Sequence, residues 1–187
     1  MPRKIIFLLI LAITLLTCAG CASMLRYDGP YEGKVVDVQT GKPIEGAVVH
    51  GKWVKRHLGG GTDYYDSYEM LTDKEGNFKI PGKGLLVLSE IEELHFTLFK
   101  AGYEQVTLYW HSKLKEAKWV NNMIVWNGDK ATFNLKKLTM DERKNRVIKT
   151  PSTPSNKEIK LFMREENKEN IEIKSNTNVL YPAELLK

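Results

Sequence analysis

The chain has 187 residues, 42% of them hydrophobic, which is enough for one domain with a real core and some accessory segments. Its formal net charge is +5, but after the leader the numbers of basic and acidic residues are nearly equal in each part of the chain, so positive charge is not concentrated in one segment. Nucleic-acid-binding proteins carry a basic stripe or patch, so this distribution argues against a nucleic-acid partner.

The first twenty residues have the pattern of an export signal. Arg3 and Lys4 form a charged start, and the uncharged apolar run 5–16 is too short to span a bilayer comfortably. The stretch Cys18-Ala19-Gly20-Cys21 then resembles a bacterial lipobox, in which small residues precede a cysteine that is acylated and becomes the new N-terminus. We therefore predict a lipoprotein signal peptide over 1–20 and lipidation at Cys21.

The cysteine count agrees with this prediction. Both cysteines, Cys18 and Cys21, lie in the leader region, so the mature chain would keep only the acylated Cys21 and could form no disulfide. Several acyl chains would hold the protein firmly to a membrane. Ala22 and Ser23 follow the cysteine, and the resemblance to lipoproteins without an inner-membrane Asp signal implies the outer membrane, facing the periplasm.

A tether over 21–30 is expected to lead into a series of short strands. β-Branched residues over 31–38 predict the first strand, and Thr40-Gly41-Lys42-Pro43 predicts the turn after it. The second strand, 47–55, mixes apolar and polar residues on both of its faces, which favours a position near a sheet edge. Gly59-Gly60-Gly61 ends the pattern, because three glycines in succession disfavour a ladder.

The next segment is rich in tyrosine and is predicted as a third strand, 64–71. The turn Asp73-Lys74-Glu75-Gly76 connects it to a fourth strand over 77–80. Leu85 to Leu88 fits either a short strand or a helical turn, and the sequence leaves both open. The remaining strands are predicted over 94–100, 106–111, 122–126 and 131–138, with Asn127-Gly128 as the turn of the last hairpin.

These segments predict an all-β chain of seven to eight strands with turn signals at the short spacing of a sandwich. After Thr139 hydrophobic residues become sparse, so we expect a polar tail over 139–187. Ser155 and Glu158 form a capping box that predicts a short helix over 156–168. A solvated, partly disordered tail is the alternative.

Three stretches together resemble the carboxypeptidase regulatory-like domain. They are Tyr31 to Val49, Thr72 to Pro81 and Lys100 to Glu104. The resemblance covers 31–138 and implies a transthyretin-like, Greek-key β-sandwich. This module is attached to peptidases, receptors and surface proteins alike, so the resemblance implies a fold more than a function.

No residue pattern indicates catalysis, and we expect no catalytic residues, no metal and no cofactor. The four histidines show none of the spacings that bind zinc, and both cysteines belong to the leader. We expect His50 and His95 to be half-exposed strand residues. An enzyme of transthyretin-like architecture, such as a hydrolase or an intradiol-type iron dioxygenase, is a further alternative; it would need a convergent cluster of His and Tyr or His and Arg side chains, which the spacing does not show.

Tyr64, Tyr65 and Tyr68 are the predicted recognition residues. If 64–71 is a regular strand, Tyr64 and Tyr68 share one face and Tyr65 the other, so at least one ring should meet solvent beside the glycine loop. The sequence thus predicts a non-catalytic, lipid-anchored envelope protein that binds a partner protein or an envelope polymer. A carbohydrate-binding module with exposed aromatic residues is the alternative.

Overall fold

The computed structural model describes residues 25–57, 59–110, 114, 123–174 and 180–182, and this part of the chain is mostly β-strand. Its strands are β1 (Leu25–Asp28), β2 (Tyr31–Asp37), β3 (Val48–Arg56), β4 (Thr62–Leu71), β5 (Asn77–Ile80), β6 (Gly84–Val87), β7 (Leu94–Phe99), β8 (Val106–Trp110), β9 (Ile124–Asn127) and β10 (Lys130–Leu135). The leader and Cys21 lie outside the residues described.

The strands form two four-stranded sheets and a separate two-stranded ribbon. Sheet 1 has the order β5-β2-β10-β9, sheet 2 has the order β4-β3-β7-β8, and the ribbon pairs β1 with β6. The β2–β10 pair is parallel, with Val35 opposite Phe133, and the other strand pairs are antiparallel.

The two sheets pack face to face around one hydrophobic core. Its centre is aromatic: the Phe96 ring stacks on Phe133 at 5.0 Å between centroids, and Trp110 approaches Phe96 edge-on at 5.1 Å. Gly33 permits this packing, because a Cβ there would lie 2.6 Å from the ring of Phe78. The predicted all-β sandwich is therefore present in its broad outline.

Two helices follow the last strand: α1 spans Met140–Asn145, and α2 spans Lys160–Glu172 directly after a 3₁₀ turn at Asn156–Ile159. The outer face of sheet 2 and this C-terminal segment share a second apolar core. It consists of Val48, Phe99, Ile159, Phe162 and Met163, all almost completely buried. The packed structure thus extends well beyond Leu138, where the sequence led us to expect only a polar tail and a short helix.

An ion cluster joins α1 and α2 to the turn after β7. The Glu169 side chain is completely buried; Arg143 donates to it from Nη2 at 2.6 Å, and Arg146 Nη2 lies 2.6 Å from its Oε1. The Gly102 amide also donates to Glu169, at 2.7 Å. Burial alone would raise the pKa of Glu169, but these donors and the two positive charges outweigh it and lower the pKa. The cluster therefore holds Glu169 in its charged form.

Several boundaries differ from the sequence predictions. The expected tether over 21–30 contains strand β1, and its last residue, Asp28, is buried. The segment at Leu85 is a strand rather than a helical turn. Together with β1 it brings the described residues to ten strands, where seven or eight were predicted. β3 lies next to the edge strand β4, as predicted, but it pairs on both sides and is buried on both faces over most of its length. The second face is buried because α2 covers the side that carries Val48 and His50.

Among the described residues, neither helix has the length and apolar character needed to cross a membrane.

Candidate functional site: the tyrosine edge of β4

β4 is the outermost strand of sheet 2, and it carries the three predicted tyrosines. Nine of its ten residues pair with β3, and within the described part of the chain no strand pairs with its other side. The backbone groups on its other side therefore face away from the sheet. We call Tyr64, Tyr65 and Tyr68 with this free strand edge the tyrosine edge.

A β-bulge changes which tyrosines share a face. Asp66 lies opposite Trp53, but the next β3 residue, Val54, lies opposite Tyr64, so Tyr65 is the extra residue. The simple alternation that we predicted for 64–71 is therefore wrong at this point. Tyr64 is instead on the same face as Ser67, and their hydroxyl oxygens are 3.0 Å apart.

Tyr64 is partly covered by the C-terminal segment. Its ring is half-buried, and burial raises the pKa of its hydroxyl. Glu158, from the 3₁₀ turn that precedes α2, also acts on this hydroxyl. Tyr64 thus lies under the C-terminal segment, and only part of its ring is left for a ligand.

Tyr65 lies on the surface beside two lysine side chains. It is 40% exposed, and Lys55 Nζ lies 4.9 Å from its ring centroid. Lys83 Nζ lies 5.8 Å from the same ring and 4.1 Å from the ring centroid of the buried Trp53. These cation–π contacts place two ammonium groups against the Tyr65 ring, and the residue still keeps 40% of its surface exposed.

Tyr68 borders a shallow groove of about 360 Å³ between β4 and the start of α2. It is 40% exposed, and the opposite wall carries Lys157, Lys160 and Arg164. The groove is held at its base by Glu69, whose carboxylate accepts the backbone amides of Leu161 and Phe162, each at 2.7 Å. Tyr68 lies opposite Gly51 and Glu69 opposite His50, so the Tyr68 side chain is on the face of β4 away from Glu69 and is accessible at the strand edge.

A second, larger concavity lies where the ribbon meets the β9–β10 hairpin. This cleft has a volume of about 930 Å³, and its walls include Tyr31, Trp110 and Trp126. The two tryptophan rings meet at 89°, and Trp110 belongs to the hydrophobic core. The cleft therefore presents no flat pair of tryptophan faces on which a sugar could stack.

The three histidines within the described ranges have separate surroundings. His50 is 1% exposed, so the expectation that it is half-exposed is wrong; α2 covers the face of β3 to which it belongs. His95 packs against Tyr109 with ring centroids 4.2 Å apart. His57, in the loop before β4, lies 2.8 Å from Asp63 of β4. Over the described ranges, His, Cys, Asp and Glu side chains form no group of three that could hold a metal. His111 lies outside those ranges.

No protein-family model matches the chain, and no curated protein matches it. Among solved structures, a Streptococcal ancillary pilin has 15% identity over 60% of this chain and 30% of its own, with a TM-score of 0.34. A 9R-lipoxygenase from Cyanothece PCC8801 has 11% identity over 83% of this chain and 25% of its own, with a TM-score of 0.30. The chain thus spans less than a third of either protein, and likenesses this weak carry no argument about its fold or function.

Proposed function

We propose that the chain is a non-catalytic, lipid-anchored protein of the bacterial envelope whose tyrosine edge binds a partner protein. In this proposal acylated Cys21 attaches it to the outer membrane, on the periplasmic side. The export pattern over 1–20 and the lipobox-like residues before Cys21 support the anchor. The resemblance of 31–138 to the carboxypeptidase regulatory-like domain supports a transthyretin-like, Greek-key arrangement of the sandwich.

The observation that carries the binding proposal is the open edge of β4. An extended segment of a partner can add to such an edge as a further strand, with main-chain hydrogen bonds for affinity and side-chain pockets for specificity. Tyr65 and Tyr68 supply two accessible amphipathic rings, a residue type that is enriched at binding hot spots. The groove beside Tyr68 offers a pocket for one side chain of the partner.

A protein ligand fits this surface better than a saccharide. Sugar-binding surfaces present aromatic faces on which a pyranose ring can lie. At the tyrosine edge, Lys55 and Lys83 lie against Tyr65, whereas Tyr68 borders the groove toward α2. The two rings therefore have different surroundings and do not form one platform for a sugar chain.

The anchor is tested by the substitution Cys21→Ala. We expect the variant to leave the membrane fraction and to lose metabolic labelling with palmitate, because Cys21 supplies the acylated sulfur and amino group. Cys18→Ala is the matched control and should keep both properties. Undiminished palmitate labelling of the Cys21→Ala chain would reject this attachment site.

The tyrosine edge is tested by photo-cross-linking in cells with benzoylphenylalanine in place of single tyrosines. We expect discrete adducts from positions 65 and 68, because these rings meet solvent at the free edge of β4. Tyr109 is the matched control, since it is a 57% exposed tyrosine on β8, at the other edge of sheet 2.

The adducts also decide the chemical class of the ligand. Protease-sensitive bands of defined mass indicate a protein, whereas a smear that collapses with glycan-cleaving enzymes indicates an envelope polymer and contradicts the protein assignment. Equal adduct yields from 65, 68 and 109 would show that the tyrosine edge is not the docking surface.

A further inference from the structure

The ribbon of β1 and β6 exposes its apolar face to solvent and turns its charged residues toward the sandwich. Its outward residues are apolar and exposed: Leu25, Tyr27, Leu85 and Val87, with 54–70% of each side chain accessible. Its inward residues are Arg26, Asp28 and Leu86, which are half-buried or buried. Strands with one solvated face normally place polar residues outward.

The four outward residues form one continuous surface, which we call the ribbon face. Leu25 lies opposite Val87, and Tyr27 lies opposite Leu85, so the side chains of both pairs are on the same side. Single exposed apolar residues are ordinary, but a contiguous group marks an interaction surface.

The ribbon is fixed to the sandwich, so its outward face has a defined direction. The buried carboxylate of Asp28 accepts hydrogen bonds from Tyr31 Oη at 2.7 Å, Trp53 Nε1 at 3.0 Å and the Lys83 amide at 2.9 Å. Arg26 donates to the carbonyl of Ile91 at 2.7 Å. These bonds hold both strands of the ribbon from their inner side.

The position of the ribbon in the chain limits what can cover this face. Leu25 is four residues after Cys21, and four extended residues reach at most about 14 Å. An acyl group on Cys21 would therefore keep β1 within that distance of the bilayer surface. This step rests on the proposed lipid anchor.

We infer that the ribbon face lies on the lipid bilayer, with its leucine and valine side chains among the upper acyl segments. Tyr27 suits this boundary, because its ring is apolar and its hydroxyl can stay with the headgroups. None of the four outward side chains is charged, so the contact is apolar and should persist at high salt. The sandwich would then stand in a fixed orientation, with the far end of β2 pointing away from the membrane.

The test uses the full mature lipoprotein in vesicles of phosphatidylethanolamine and phosphatidylglycerol. Val87→Cys and Val38→Cys are each labelled with the environment-sensitive dye NBD, since acylation blocks the sulfur of Cys21. The two valines are matched in exposure, at 56% and 50%. Tyr31 at the ribbon end of β2 and Val38 just past the other end are separated by seven residues, about 23 Å of strand.

We expect the label at 87 to shift to shorter emission wavelength and to lose most of its fluorescence to lipids with a doxyl group near the headgroup. The label at 38 should do neither. Equal quenching at both positions, or none at 87, would overturn the ribbon contact. A disulfide-linked dimer through the unlabelled cysteine at 87, without lipid quenching of the labelled chain, would assign the face to a second copy instead.

Vesicle flotation and the intact mass of the protein report the anchor separately. An acylated chain that floats but shows no quenching at 87 contradicts the ribbon contact and leaves the anchor standing. A chain without acyl mass at Cys21 contradicts both, because the distance argument depends on the anchor.

Discussion

Replacing Phe162 by alanine should lower the free energy of unfolding by about 3–5 kcal/mol, the usual cost of truncating a fully buried aromatic ring. The ring has no exposed surface and packs on Phe99 with centroids 5.0 Å apart. Its loss would leave a cavity between α2 and the outer face of sheet 2. Chemical denaturation followed by tryptophan fluorescence and circular dichroism measures the change.

Ile171→Ala is the matched control on the same helix. Ile171 is 64% exposed, so its truncation should change stability by less than about 0.5 kcal/mol. A chain that ends at Thr139 should be affected more than Phe162→Ala, because it exposes Val48 and Phe99 and removes Glu169 from Gly102. If Phe162→Ala behaves like Ile171→Ala, α2 does not form a core with sheet 2.

The parts of the fold that the sequence predicted well have simple local patterns. The alternation of Leu94, Phe96 and Leu98 predicted a core strand, and all three residues are completely buried in β7. Asn127-Gly128 predicted a hairpin, and β9 and β10 do pair antiparallel beside it. In both cases the determinant lies within a few residues of chain, so no knowledge of the remaining structure is needed.

The tyrosine edge could be predicted only in part. The composition of 64–71 identified a tyrosine-rich strand, but the bulge at Tyr65 depends on how Trp53 and Val54 pair with it. Because the side-chain period of a strand is two, one extra residue reverses every face assignment beyond it. The sequence alone therefore does not show which residues on the two sides of Tyr65 share a face of β4; the register of β4 against β3 is needed for that.

The helices and the ribbon illustrate a different limit. A capping box at Thr139 and Glu142 marks the start of α1, a signal that our sequence analysis missed. α2 has few apolar residues, and its burial depends on Val48 and Phe99 being available on sheet 2. β1 is only four residues long, and its partner β6 comes more than fifty residues later, so no local pattern shows their pairing.

Stability should fall as the pH drops from about 6.5 to about 4, because His50 is buried in its neutral form. Burial lowers the pKa of His50 from its ordinary 6.5 to about 4, and the nearby charge of Lys52 acts in the same direction. Between these pH values the unfolded chain binds a proton at His50 and the folded chain does not. The stabilisation is thus complete above pH 6.5, and its loss by pH 4 amounts to about 3 kcal/mol.

His50→Leu isolates this effect, because leucine keeps the site apolar and cannot titrate. Burial lowers the pKa of His95 and raises that of Glu69, which pairs with His50 across β3 and β4. As the pH falls, His95 should add to the loss of stability and Glu69 should oppose it. Both groups remain in the variant, so their effects largely cancel in the comparison. Urea denaturation from pH 7.5 to 4 gives the free energy of unfolding of both chains. As the pH falls, this free energy should decrease more steeply for the native chain than for His50→Leu. If the two free energies of unfolding instead differ by a constant amount across this range, His50 does not stay neutral in the folded chain. The face of β3 beneath α2 would then be open to water.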